Sequence, residues 1–389
     1  MIVAVFAAVF WLSAFLLVHI YFLYPGILAV AGSIIDRSTA PNRGEGELPT
    51  VSLVIAAYNE EDIIEEKIRN SLQLEYLDDK FEIVVFSDAS SDGTDSIVRS
   101  YADEGVRLER IEGRVGKTEC QNRVAERLTS DIIVFSDANS MYEPDAIGHL
   151  VEAFGPDVGC VVGELCYQQN GVEAESVYWR FEKLIKRLEP TVSSIVGANG
   201  AIYAVRRSSY VPLPSDQISD FAEPLAIVRR GERVEYTSEA RAWENPGATI
   251  GSELSRRIRI STRSWHTLLD YTSLLNPFRY PLFSFQLASH HVIRWLNPLL
   301  LIAIAVTNVA LVATTDNPLY VLALSGQVGF YALAVTGGLL DRFGRSNPIV
   351  TYVPYYFCAL NYSLLAALWN VVRNRNFVTW ETDSRSSSD

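Results

Sequence analysis

The sequence predicts an α/β domain built on a mostly parallel, Rossmann-like sheet, with transmembrane α-helices at both ends. Three observations carry this. Runs of β-branched apolar residues alternate with charged stretches of helical period between about residues 50 and 240; two of those runs end in Asp88 and Asp137; and the flanking regions are long apolar segments nearly free of charge.

From Ile2 to Tyr24 there is no Asp, Glu, Lys or Arg, and the run exceeds the roughly 20 residues needed to cross a hydrocarbon core. It predicts a membrane helix rather than a cleaved signal peptide, because no basic stretch precedes it and it outruns the usual core of about 7–15 residues. The residues Asp36 to Glu47 turn to Arg, Pro, Asn and Gly, which predicts a linker. The organisation expected is therefore a membrane segment over 1–35, a soluble domain over 36–277, an interfacial helix over 278–294, about three membrane segments over 295–376 and a polar tail over 377–389. The three later segments are Trp295 to Thr314, Pro318 to Leu340 and Ile349 to Val372, separated by Asp-Asn-Pro and Asn-Pro breaks.

Basic residues near membrane spans mark the cytoplasmic side. Arg37, Arg43, Arg279, Arg294, Arg342 and Arg345 all place the soluble domain inside, whereas the loop Thr314 to Pro318 has no basic residue. Arg373 and Arg375 break the pattern if the last segment spans. That segment carries Tyr355, Tyr356, Asn361 and Tyr362, so spanning, re-entrant and interfacial placements all stay open for it.

Within the soluble domain, Thr50 to Tyr58 predicts a first strand and Glu60 to Leu74 a helix. Phe81 to Phe86 predicts a second strand ending at Asp88, with Asp92-Gly93-Thr94 opening the next helix. Val106 to Ile111, Thr118 to Leu128 and Asp131 to Phe135 continue the alternation, the last strand ending in Asp137-Ala138-Asn139. Ligands of such sheets bind at the carboxyl ends of the strands, which is where Asp88 and Asp137 fall.

A net charge of −13 excludes nucleic acid as a natural partner. Phosphate-bearing substrates would need a few local cations and a metal. Only five of the 33 basic residues are Lys, a balance that suits a solvated surface at high salt. Four scattered cysteines have neither zinc-ligand spacing nor a Cys-x-x-Cys pair. Asp137 and Asn139 offer two oxygen donors for Mg²⁺ or Mn²⁺, although Asp at a strand end also caps turns.

Six blocks, VSLVIAAYNEEDII, VVFSDASSDGT, GRVGKTECQN, DIIVFSDANS, ANGAIYAVRR and ISDFAEPLAIVRRGERVEY, follow one another from about Pro49 to Tyr236. Together they resemble glycosyltransferase family 2, and within it the membrane synthases of the hyaluronan, cellulose and poly-N-acetylglucosamine type. The resemblance implies a GT-A-like fold and an inverting glycosyltransferase. Such an enzyme takes a sugar from a nucleotide-diphosphate donor, most simply a UDP-sugar, and gives it to a lipid-linked or polysaccharide acceptor at the cytosolic membrane face.

Residue by residue, the resemblance assigns Ala57, Tyr58, Glu60, Asp88, Lys117, Asp137, Asn199 and Gly200 to the nucleotide and donor sugar. Asp137 with Asn139 would hold the metal, Asn139 standing where a second Asp is usual. Asp220 matches the catalytic base, although Asp is also a favoured helix N-cap. Arg263 and Trp265 loosely match a Gln-x-x-Arg-Trp motif on the acceptor or diphosphate side, with one extra residue and no Gln. Trp179, Phe181 and Glu182 resemble an acceptor-side helix. Two rival functions remain: a monosaccharide transferase to polyprenyl or dolichyl phosphate, and a catalytically weak membrane scaffold that retains the fold.

Overall fold

Seven residues from Val51 to Ala57 form β1, buried at every position. Their alternation sends Leu53 and Ile55 into one apolar core and Val54 and Ala56 into the other, as expected for a strand covered on both faces. In the computed structural model of the chain, residues 1–35, 47–167, 173–245, 250–375 and 377 are described. The expected linker (Glu47 apart), Arg37, Arg43 and the tail beyond Phe377 lie outside them.

The remaining strands are β2 (Phe81–Asp88), β3 (Val106–Ile111), β4 (Ile132–Asp137), β5 (Met141–Tyr142), β6 (Val158–Tyr167), β7 (Tyr203–Arg206) and β8 (Arg233–Glu244). The helices are α1 (Ile2–Val18), α2 (Tyr24–Ile35), α3 (Ile64–Leu72), α4 (Thr94–Ser100), α5 (Lys117–Arg127), α6 (Ala146–Glu152), α7 (Glu173–Val192), α8 (Ser219–Arg229), α9 (Ile250–Asp270), α10 (Pro281–Leu287), α11 (Asn297–Thr314), α12 (Pro318–Arg342) and α13 (Ile349–Val372).

One eight-stranded sheet has the order β3-β2-β1-β4-β7-β6-β8-β5. β3, β2, β1 and β4 are parallel, as the strand–helix alternation predicts. The second half is mixed, since β7 runs antiparallel to both β4 and β6, and β5 antiparallel to β8. Ala56 pairs with Asp137 and Ala57 with Ser87, so the ends of β1, β2 and β4 form one edge.

Four helical stretches are long and apolar enough to cross a membrane: Ile2–Ile35, Asn297–Thr314, Pro318–Arg342 and Ile349–Val372. The first runs past Tyr24 to Ile35. Pro25 has no N–H to donate, but it follows a π-helical turn, His19–Leu23, that has already shifted the bonding pattern.

Part of the segment expected as an interfacial helix packs against protein. α10 and the following π-turn, Ala288–Ile293, bury Phe283, Gln286, Leu287, Ser289 and His290, while Phe278 alone there is almost fully exposed. The polar residues of this stretch point at partners: Gln286 donates to the Glu189 carbonyl at 2.8 Å and His19 meets Ser289 at 2.9 Å.

α13 lies along α9, the last helix of the catalytic domain. Arg257 reaches the Tyr356 hydroxyl at 3.4 Å near one end, and His266 meets the Arg375 carbonyl at 3.1 Å near the other. Leu364, Leu368 and Val371 pack against the core that contains Trp265 and Trp295. The polar residues that distinguish this helix have uses here, as when Asn361 accepts from Asn297 at 2.8 Å.

Candidate active site

The edge of the sheet becomes a site because three charged side chains from three elements meet around one glycine. A Cβ added at Gly200 would lie 3.0 Å from Asp137 Oδ2, 3.1 Å from Lys117 Nζ and 3.5 Å from Asp220 Oδ2. A Cβ here would press the neighbouring side chains back by a few tenths of an ångström. Asp137 ends β4, Lys117 opens α5 and Asp220 sits in the first turn of α8.

Lys117 forms an ion pair with Asp137. It is aimed by Gly116, whose φ of +95° suits glycine. Burial would lower the Lys117 pKa, but Asp137 and Asp220 outweigh it and hold it above its ordinary value. The turn after β4 is fixed from below by Lys67, fully buried, whose ammonium donates to the Ser140 carbonyl and faces the Tyr142 ring at 3.9 Å. Burial pushes Lys67 down to about 7, against the opposing pull of Asp137 and Glu244.

Asp220 does not cap its helix: the N-cap is Ile218, with no side-chain cap bond. Among the described residues its carboxylate has no hydrogen-bond partner, whereas its backbone carbonyl accepts from Ala198 N at 2.8 Å. Burial, then the neighbouring Asp137 charge, raise its pKa; Lys117, Arg263 and Lys186 oppose them. A carboxylate with raised basicity and free oxygens, facing a cavity, has the properties of a proton acceptor.

The cavity holds about 930 Å³ and runs from Glu60, Asp137 and Asp220 to side chains of the membrane helices, including Tyr21, Leu360 and Leu364. Of the residues expected from sequence, Glu60, Lys117, Asp137, Asn139, Asn199, Gly200, Asp220 and Arg263 line it, as do Trp179, Phe181 and Glu182. Asn199 also shapes the Gly200 turn, donating to the Gly163 carbonyl and accepting from Ile202 N, both at 3.0 Å. Arg263 donates to the Gln217 carbonyl at 2.6 Å.

Four expected residues stand elsewhere. Ala57 is fully buried, and Tyr58 is covered by the Arg114 guanidinium at 3.2 Å from its ring centre. Asp88, also fully buried, accepts from Val115 N at 2.8 Å, Gly116 N at 3.1 Å and Arg114 at 3.2 Å. Its oxygens take part in shaping the turn that presents Lys117. Trp265 packs on Trp295 at 5.0 Å in the core.

Sequence reasoning missed Lys186, Glu244 and His291, which line the cavity, as do Arg256, Arg257 and Arg259 of the arginine cluster that ends in the expected Arg263. A signal for Lys186 existed: Glu182, Lys186 and Glu189 are spaced four and three residues apart, one face of α7. The donors around Asp137 fit a hard divalent cation. Asp137, Asn139 and Glu244 all offer oxygen to the cavity, and Asp137 already attracts an ammonium. Among the described residues no three His, Cys, Asp or Glu side chains form a metal cage, so ligand oxygens would have to complete the shell.

Residues 52–210 match the family model described as glycosyl transferase family 2. Poly-beta-1,6-N-acetyl-D-glucosamine synthase of Staphylococcus aureus (strain MSSA476) is 26% identical over 274 residues, 67% of this chain and 66% of that protein. The probable glycosyltransferase YdaM of Bacillus subtilis (strain 168) is 25% identical over 255 residues, 58% and 57% of the two chains. The chain thus aligns with less than two-thirds of either relative's length. Among solved structures, mannosyltransferase PcManGT from Pyrobaculum calidifontis, in complex with GDP-Man and Mn²⁺, is 21% identical with a TM-score of 0.68, covering 94% of this chain and 99% of that one. That likeness shows the fold. Residues 52–210 of the chain are thus similar to glycosyltransferase family 2, and the sheet that carries them has a GT-A-like fold.

Proposed function

We propose that the protein is an inverting glycosyltransferase that moves a sugar from a nucleoside-diphosphate donor to an acceptor hydroxyl delivered from the membrane. The observation that carries this is the convergence of Asp137, Lys117 and Asp220 on Gly200, with the Asp220 carboxylate free. The acceptor oxygen attacks the anomeric carbon, its proton passes to Asp220, and the bond from that carbon to the diphosphate oxygen breaks, inverting the centre. Lys117 stands where it can offset charge on the departing diphosphate. A divalent cation held by Asp137 and Asn139, with Glu244 beside them, would supply further charge neutralisation.

The cavity's reach to Tyr21, in the first apolar stretch, favours an acceptor that is lipid-linked or arrives from the membrane side. The rival acceptor, a polyprenyl phosphate, is itself an ionised nucleophile and needs no base, so a free Asp220 favours a hydroxyl. The nucleotide is most simply uridine, on the family resemblance. We place the catalytic domain on the cytoplasmic face, with the first apolar stretch, α11 and α12 crossing the bilayer and α13 lying against α9. Arg373 and Arg375 then join Arg342 and Arg345 inside, which removes the conflict in the distribution of basic residues.

The test is reconstituted protein supplied with labelled nucleotide sugars and Mn²⁺ or Mg²⁺, with the anomeric configuration of the product read by proton NMR. Inversion is expected. Retention would rule out single displacement with Asp220 as base, and no turnover with any donor would favour the scaffold.

A further inference from the structure

Where the first membrane helix meets the catalytic domain, one buried carboxylate ties three elements together. Glu189, in the last turn of α7, is 0% exposed. Its Oε1 accepts from the Tyr24 hydroxyl of α2 at 2.6 Å and from His290 Nδ1 at 2.7 Å. Its Oε2 accepts from the backbone N–H of Val196 at 3.0 Å. His290 also faces Glu182 across 3.5 Å, and Glu182 pairs with Arg294.

An ionised group in the interior persists only when its charge and hydrogen-bonding capacity are met. Here the imidazole stands between two carboxylates. Burial, which lowers the His290 pKa, is outweighed by Glu189 and Glu182, which bring it to about 9. The resulting cation balances Glu189, and the tyrosine and the Val196 amide take its remaining lone pairs.

The link continues to the chemistry. From Val196 the chain runs through Gly197 to Ala198, whose N–H donates to the Asp220 carbonyl, and two residues later reaches Gly200. His291 stacks on His290 with centroids 4.5 Å apart and meets Phe221, next to Asp220, edge-on at 4.8 Å. A Cβ at Gly197 would touch both His291 and Phe221 at 3.4 Å. The segment 193–200 therefore hangs between Glu189 at one end and Asp220 at the other.

We infer that Glu189 is a positioning residue which, with Tyr24 and His290, fixes the segment 193–200, and through it Gly200 and Asp220, to the first membrane helix. The seating of that helix in the bilayer is thereby coupled to the spacing of the groups around Gly200. The kinetic consequence rests on Asp220 being the base; the mechanical link does not.

The experiment uses the full chain in lipid nanodiscs and compares wild type with Glu189→Gln and Tyr24→Phe. Amide hydrogen exchange of residues 193–200 is read against β1 as an internal standard. Losing bonds to a buried carboxylate should speed exchange in that segment by about tenfold or more in Glu189→Gln and by about two- to fivefold in Tyr24→Phe, with β1 unchanged. With any donor that wild type turns over, kcat should fall by about tenfold in Glu189→Gln while donor KM stays within about twofold. Unchanged exchange in the segment, or an equal rise in β1, would overturn the inference. So would a higher donor KM at constant kcat, which would make Glu189 part of donor binding. If wild type turns over no nucleotide sugar, the proposed function fails, while the exchange comparison still decides the link.

Discussion

In the proposed mechanism the basicity of Asp220 comes from what surrounds it rather than from its type: burial raises it and Asp137 adds to that, against the opposing pull of Lys117, which is itself paired with Asp137. Asp220→Asn keeps the shape and removes the proton acceptor, so kcat should fall by about 10²–10⁴. Donor affinity measured by calorimetry should change little; a large loss would make Asp220 a binding residue. A second carboxyl of α8 behaves differently. Glu223 is 1% exposed, takes one long hydrogen bond from Val211 N at 3.4 Å, and is pushed up by burial to about 8. Between its ordinary value of 4.5 and about 8 the folded chain keeps a proton that the unfolded chain has released. Stability therefore falls as pH rises through that window. Glu223→Gln removes this dependence, so its melting temperature in detergent should gain on wild type between pH 5 and pH 8. A constant difference across that range would mean that Glu223 is ionised in the fold. The sequence marks Asp220 through its neighbours in the chain, but it does not show that Asp88 is hydrogen-bonded, because those bonds come from Arg114 to Gly116, a turn whose geometry no periodicity reveals.

At the scale of elements, the parallel half of the sheet is written in local pattern. The runs that become β1, β2 and β4 are short, β-branched and bounded by turn residues, and the first two are each followed by a helix. The mixed half is not, since the direction of β7 depends on how α7 and the segment 193–200 return the chain. Trp265 shows the same limit: its place in α9 is legible, but whether it faces the cavity or Trp295 is settled by packing between α9 and the start of α11. The site hinges on the close approach of the Gly200 turn to β4, α5 and α8, which gives an element-level test. Gly200→Ala should preserve folding, since the position is outside the left-handed region, yet force apart Asp137, Lys117 and Asp220. A displacement of a few tenths of an ångström should cost kcat on the order of tenfold to a hundredfold. Wild-type turnover in a folded Gly200→Ala protein would show that the three groups need not be so close.

For the whole molecule, the arrangement of the membrane helices decides from which side substrates arrive. Composition alone gives four spans of sufficient length, and the basic residues then disagree with one another at Arg373 and Arg375. Tertiary contacts offer a resolution that no hydropathy window contains. α13 touches α9 through Tyr356 with Arg257, the chain just beyond it does so through the Arg375 carbonyl with His266, and Asn361 within it bonds to Asn297. In the proposed topology a helix tied to α9 in this way stays on that domain's side of the bilayer. The loop between α11 and α12 then emerges on the opposite side. In a background with Cys358→Ser, the other three cysteines being buried, Asp316→Cys in intact cells should react with a membrane-impermeant maleimide. Arg375→Cys should react only after permeabilisation. Labelling of Arg375→Cys from outside would mean that α13 crosses the membrane, and the contacts with α9 would then have to break in the bilayer.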